Sequence, residues 1–161
     1  DGMVATDLPQ IAYTANYNFP CEEPRCYFHP CGFGTLGYAM PAAIGAKIAC
    51  PDRAVVAVAG DGGFLFTVQE LGTAVELGLP LPILVWNNDA FGQIAQNMRE
   101  FGIEEVAVRP RNPDFQALAK AYGAHAAKPD SLAGITEAIK AALKAKGPTL
   151  IEVHEQSGFL A

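Results

Sequence analysis

Short apolar runs separated by longer amphipathic stretches set the rhythm of this chain. Ala54–Ala59 (AVVAVA) and Leu81–Trp86 (LPILVW) have the length and branched content of buried strands. Met3–Thr6 and Thr149–His154 read as further strands, and Ala124–Ala127 as a short edge strand. Helices are predicted between them. One lies around Gln10–Asn16, and another spans Gly37–Ala49, with Pro41 in a first turn where a missing N–H costs little. Val68–Leu77 carries apolar residues at helical spacing and stops at Gly78 before Pro80. Asn87 to about Met98 reads as a helix or loop–helix, and Asp114–Tyr122 as a helix opening on an acid. Ser131 can cap Leu132–Lys146, whose Lys140, Lys144 and Lys146 suit the negative end of the dipole before Gly147-Pro148 breaks the helix. A Pro- and Cys-rich loop runs through Pro30, and Arg99–Pro113 has no clear period and reads as an active-site loop or lid. Strands alternating with helices predict an α/β fold: a doubly wound, mostly parallel sheet with helices on both faces.

The endings of two strands carry the chemistry. Gly60-Asp61-Gly62 closes one and Asn87-Asn88 closes the other, so an acid and an amide meet at the carboxyl edge of the sheet. Asp61 and Asn88 offer hard oxygens of the kind Mg²⁺ takes, usually together with substrate phosphates. The flanking glycines leave backbone N–H groups open to close approach by phosphate. Open α/β folds bind ligands at this edge, so the pattern reads as a magnesium–diphosphate site.

Composition narrows the picture. The 161 residues suit one domain, half of them hydrophobic and 17% charged, which argues against disorder. A net charge of −6 and a pI near 4.9 argue against nucleic acid as a partner. An anionic ligand on such a surface needs a metal ion or focused backbone dipoles. No apolar stretch approaches the roughly 20 residues that cross a bilayer, and no signal peptide is legible, so a cytoplasmic protein without membrane contact is expected. The chain enters a strand almost at once, which suggests part of a longer polypeptide. Cys21, Cys26 and Cys31 with His29 form C-x4-C-x4-C, and Cys50 stands apart. No tight second pair backs them, so reduced thiols are expected rather than a metal centre. His29, His125 and His154 are isolated and read as structural or surface residues, with His29 nearest the expected cofactor.

A second pattern competes. Gly32-Phe33-Gly34-Thr35-Leu36-Gly37 fits G-x-G-x-x-G, the fingerprint of a Rossmann-type NAD-binding oxidoreductase. That fingerprint should follow directly on a strand, yet Pro30-Cys31 precedes it after a polar loop. Nor does it explain Asn87-Asn88.

The full pattern, Gly60-Asp61-Gly62, then residues 63–86, then Asn87-Asn88, resembles the signature of thiamine diphosphate-dependent enzymes. Gly32–Lys47 (GFGTLGYAMPAAIGAK), Gly60–Asp89 and Phe91–Ile94 (FGQI) extend the likeness over nearly the whole chain. It is similar to the C-terminal diphosphate-binding domain of the acetolactate synthase/2-oxo-acid decarboxylase group, the last of three domains. The resemblance implies that Asp61 and Asn88 ligate Mg²⁺ through their side chains and Ala90 through its carbonyl. It gives diphosphate contacts to Gly60, Gly62 and Gly63 and to the backbone near Phe91-Gly92; many relatives have Ser where Gly63 stands. Leu36 would be the apolar wedge that bends the cofactor, beside Thr35, with the Gly34 carbonyl and the Leu36 N–H meeting its aminopyrimidine. Gln10 matches a Gln near the diphosphate, although Ile11 replaces the His that often follows.

The implied reaction is loss of CO₂ from a small-molecule 2-oxo acid, ending in protonation or in a new C–C bond. The same likeness places a catalytic Glu on a pyrimidine-binding domain of the same or a neighbouring subunit, in a homodimer or homotetramer. No residue here matches that Glu, so the isolated chain is expected to be inactive. Glu100, Glu104 and Glu105 in the long loop suggest an alternative substrate with a cationic tail, such as a guanidino 2-oxo acid, although a solvated acidic loop is the commoner explanation of such residues.

Overall fold

A computed structural model describes residues 2–160. In chain order the elements are β1 (Met3–Thr6), α1 (Gln10–Asn18), β2 (Tyr27–Phe28), α2 (Ala39–Ala49), β3 (Val55–Gly60) and α3 (Asp61–Phe66). There follow α4 (Glu70–Glu76), β4 (Pro82–Asn87), α5 (Gly92–Glu100), α6 (Phe115–Ala121), β5 (His125–Ala127), α7 (Leu132–Ala142) and β6 (Thr149–His154), with a short 3-10 turn at Gly158–Leu160. The six strands form one sheet in the order β2-β1-β3-β4-β6-β5, every pair parallel.

Parallel strands need crossovers, and right-handed crossovers decide which face each helix covers. The chain steps one way along the sheet through α2, α3–α4 and α5–α6, and the opposite way through α1 and α7. The two sets therefore lie on opposite faces, which makes the fold doubly wound. The main core confirms one layer: Met3, Ala5, Val55, Ala57, Ala59, Ile83, Val85 and Leu150 share a face and pack with residues of α2, α4 and α6. Their registers agree, Met3 with Val55, Ala57 with Ile83 and Ile83 with Leu150. Ile151 and Val153 have the other parity and are buried as well, where α7 meets β6.

Most elements match the expected pattern to within one or two residues, and the departures have local causes. The loop before Pro30 contains the two-residue strand β2, which pairs with Val4 and Ala5 at the sheet edge. Asp61, read as part of the strand's ending, opens the helix α3 directly after Gly60. Its Oδ1 accepts the Gly62 N–H at 2.9 Å, so the acid satisfies a donor that the first turn would leave open. The expected helix at Val68–Leu77 is the shorter α4, entered through turn-like bonds from Glu70 N–H to the Thr67 carbonyl and from Leu71 N–H to the Val68 carbonyl. The helix expected to reach Lys146 ends at Ala142, because the chain then turns toward the start of β6.

The candidate cofactor site

The sheet has a switch point between β1 and β3. From β1 the chain moves outward to β2, whereas from β3 it moves the other way to β4, so their carboxyl ends open a crevice. A cavity of about 320 Å³ occupies it. Of the residues singled out in the sequence, Gln10, Gly34, Leu36, Gly60, Asp61, Gly62, Gly63, Asn88, Ala90, Phe91 and Gly92 all line this cavity. Thr35 is exposed and is not among the lining residues.

Asp61 is only 3% exposed, and among the described residues no Lys or Arg pairs with it. A buried carboxylate without a cation is costly unless a metal or hydrogen bonds answer it. Its second oxygen accepts from Asn112 Nδ2 at 2.7 Å, and the same nitrogen lies 3.0 Å from Asn87 Oδ1 and 3.3 Å from Asp89 Oδ1. One NH₂ has two hydrogens for these three oxygens, while Asn112 Oδ1 is buried without a partner. The Asp61 carboxylate is thus answered only by neutral donors, the Gly62 N–H and the Asn112 amide. A buried carboxylate without a cation, in the cavity that Asn88 and Ala90 also line, fits a magnesium ligand.

The two asparagines differ in setting. Asn87, at the end of β4, is buried and donates to Glu152 Oε1 at 3.1 Å, while its oxygen accepts the Asp89 N–H at 3.2 Å. Glu152 is a buried acid on β6 and also accepts from Gln116 and Lys128. Asn88 donates to Glu155 Oε2 at 2.9 Å, an oxygen that also accepts the Trp86 indole N–H at 2.9 Å. Asp89 follows with φ +54°, a left-handed conformation that Asp tolerates, and its other oxygen lies 3.0 Å from His154 Nε2.

Asp7, just past β1, is 1% exposed. Its carboxylate accepts the N–H groups of Gly37 at 2.9 Å and Tyr38 at 3.0 Å, tying the loop that carries Gly34 and Leu36 to the end of β1. Burial pushes its carboxyl above the usual 3.8, opposed by those two backbone donors and by the nearby His29. This contact also removes the dinucleotide reading. The N–H groups leading into α2, where a pyrophosphate would sit, already hold a carboxylate.

Close packing shapes the rest of the crevice. A Cβ at Gly62 would lie 2.5 Å from the Phe91 ring, one at Gly63 2.4 Å from Asp7 Oδ2, and one at Gly92 2.6 Å from Asn88 Nδ2. These three glycines line the cavity and leave no room for a side chain, so backbone borders it there and phosphate oxygens can approach closely.

Other candidates fall outside this cluster. All four cysteines are free, and among the described residues no three His, Cys, Asp or Glu side chains gather to hold a metal. His29 approaches Asn16 Nδ2 at 3.3 Å, while its Nδ1 is buried without a partner. In the long loop Glu105 pairs with Arg99 and Arg109; the hydrogen bond from Arg99 foremost holds its carboxyl below the ordinary range. Glu100 accepts from Gln96 on α5, and Glu104 is exposed. Asp7, Asp89, Asn112, Glu152 and Glu155 were not singled out in the sequence, and Asn87 only as part of the Asn87-Asn88 pair. The usable signal was Glu152, an acid inside the apolar run TLIEVH.

Residues 9–153 match the family described as thiamine pyrophosphate enzyme, C-terminal TPP binding domain, and the chain belongs to that family. It is 50% identical over 155 residues to a probable 2-ketoarginine decarboxylase of Pseudomonas aeruginosa, covering 96% of this chain and 28% of that one. It is 37% identical over 161 residues to an acetolactate synthase large subunit of Parasynechococcus marenigrum, covering 98% and 26%. The fold matches the thiamine diphosphate-dependent 4-hydroxybenzoylformate decarboxylase of Rhodococcus jostii RHA1 with a TM-score of 0.87 and 29% identity, over 96% of this chain and 29% of that one. The chain therefore spans a little over a quarter of the length of these relatives. Thiamine diphosphate is the cofactor of the domain, and Mg²⁺ is the usual partner metal in the family.

Proposed function

We propose that this domain holds the metal–diphosphate end of thiamine diphosphate in an enzyme that decarboxylates a 2-oxo acid or joins it to a second carbonyl. The carrying observation is the cavity at the switch point, which Asp61, Asn88 and Ala90 line together with Gly60, Gly62, Gly63 and Gly92. Asp61 and Asn88 would ligate Mg²⁺ by side-chain oxygens and Ala90 by its carbonyl. The N–H groups of Gly63 and Gly92 would hold phosphate oxygens, while that of Gly62, expected to do the same, is taken by Asp61 Oδ1. Gly34 and Leu36, pinned through Asp7, would orient the aminopyrimidine and bend the cofactor. When bound, thiamine diphosphate supplies a nucleophilic carbon and an electron sink for the departing CO₂. Calorimetric titration with thiamine diphosphate tests the reading. Binding is expected to require Mg²⁺ and to fall at least 100-fold in Asp61→Ala, in line with the loss of a charged metal ligand; unchanged binding in that variant would refute it.

A second reading concerns the substrate. The relative at 50% identity is a probable 2-ketoarginine decarboxylase, which favours a guanidino 2-oxo acid. The acidic loop adds little to this, since Arg99 and Arg109 already occupy Glu105. Assays against a panel of 2-oxo acids, following both CO₂ and C–C products, would decide. The length of the relatives supports a partner domain that binds the pyrimidine and brings the catalytic Glu, from the same or a neighbouring subunit of a homodimer or homotetramer. On that reading these 161 residues alone show no turnover. Decarboxylation by the isolated chain at a normal rate would overturn it.

A further inference from the structure

Strand β6 lies beside β4 and delivers an acid to each of the paired asparagines, Glu152 to Asn87 and Glu155 to Asn88. An ionised carboxylate only accepts hydrogen bonds, so the amide atom facing it must be the NH₂. The amide orientation of Asn88 is thereby fixed by chemistry, with its NH₂ on Glu155 and its oxygen turned elsewhere. Glu155 is itself held at three points. Its N–H donates to the Asn87 carbonyl at 2.8 Å, and one carboxylate oxygen serves both the Trp86 indole and Asn88.

We propose that Glu155 is a positioning residue for the metal site: it holds Asn88 with the amide oxygen presented to the cation. The inference rests on the reading of Asn88 as a magnesium ligand. Without an acceptor at position 155 the Asn88 amide is free to turn over. An NH₂ directed at a cation is no ligand, so every inverted conformer is lost to binding. Gly92 adds to the restraint, since its bare Cα packs close to Asn88 Nδ2 and leaves the amide little room to shift.

The test is titration of the full chain with MgCl₂ at saturating thiamine diphosphate, read by calorimetry. Glu155→Ala is expected to weaken the apparent magnesium affinity about 10- to 100-fold, the range found when partners of metal ligands are removed. Glu155→Met, of similar length but without an acceptor, should lose as much, and it serves where the alanine variant folds poorly. Glu155→Gln keeps an oxygen for Asn88 and should recover most of the affinity, which a merely structural or purely electrostatic role would not produce. Wild-type affinity in folded Glu155→Ala and Glu155→Met would overturn the inference, as would a Gln variant no better than they are. Asp61→Ala is the control: loss of binding there with none at Glu155 sinks only this inference. Retained binding in Asp61→Ala would sink the metal site itself, and the role of Glu155 with it.

Discussion

At Gly63 the structure leaves no room for a side chain. A methyl there would meet Asp7 Oδ2, the oxygen that accepts the Gly37 N–H, so Asp7 would have to release the loop it anchors. Gly63→Ala should therefore cost about 1–3 kcal/mol, the range for overpacking combined with a broken buried hydrogen bond, measurable by urea unfolding. Asp7 also gives the fold a pH dependence with a definite sign. Its folded pKa lies above the ordinary 3.8, so in the folded protein it gives up its proton less readily than in the unfolded chain. Its contribution is fully present below that value and declines as pH rises through the folded pKa. Asp7→Asn cannot titrate, and its single oxygen leaves one of the two N–H groups weakly served. The stability advantage of wild type over Asp7→Asn should thus narrow as pH rises above the ordinary 3.8, in parallel unfolding curves. An advantage that widens with pH would contradict the assignment.

Helix starts are where single side chains govern whole elements. Asp114 accepts the N–H groups of Gln116 and Ala117, and Ser131 accepts that of Gly134. Asp114→Ala and Ser131→Ala should each lower stability by about 1 kcal/mol, seen as a reduced urea midpoint at an unchanged slope. Both starts were legible in the sequence because capping is a local matter. Strands β1, β3, β4 and β6 were legible for a similar reason, since burial on both faces leaves a continuous apolar run. What escaped was structure set by distant partners. Strand β2 exists because Val4 and Ala5 offer it an edge, and nothing in Tyr27-Phe28 alone announces it. Asp7 reaches Gly37 across 30 positions, and Glu155 reaches Asn88 across 67. Asn112 lies in a loop without periodicity, yet it docks on Asp61. The glycine and oxygen pattern showed where the site lies, while the acids that hold its parts in place appear only once the sheet is assembled.

Across the whole molecule, the excess of negative charge bears on how an anionic cofactor is held. With a net charge of −6 this chain does not attract a diphosphate through its bulk field, so a metal ion held by Asp61 and Asn88 would have to supply the attraction. Thiamine diphosphate with Mg²⁺ at about 100 times its dissociation constant should stabilise the fold by about 2.7 kcal/mol, and a metal chelator should abolish the effect. Thermal unfolding with and without the chelator checks this; equal stabilisation in both would show that the metal is dispensable. The indole of Trp86 offers a way to watch the same event by light. It is the chain's sole tryptophan, it borders the cavity, and its N–H ends on Glu155. Its emission is therefore a built-in optical gauge of this crevice, and filling the crevice should change its intensity or colour without any attached dye.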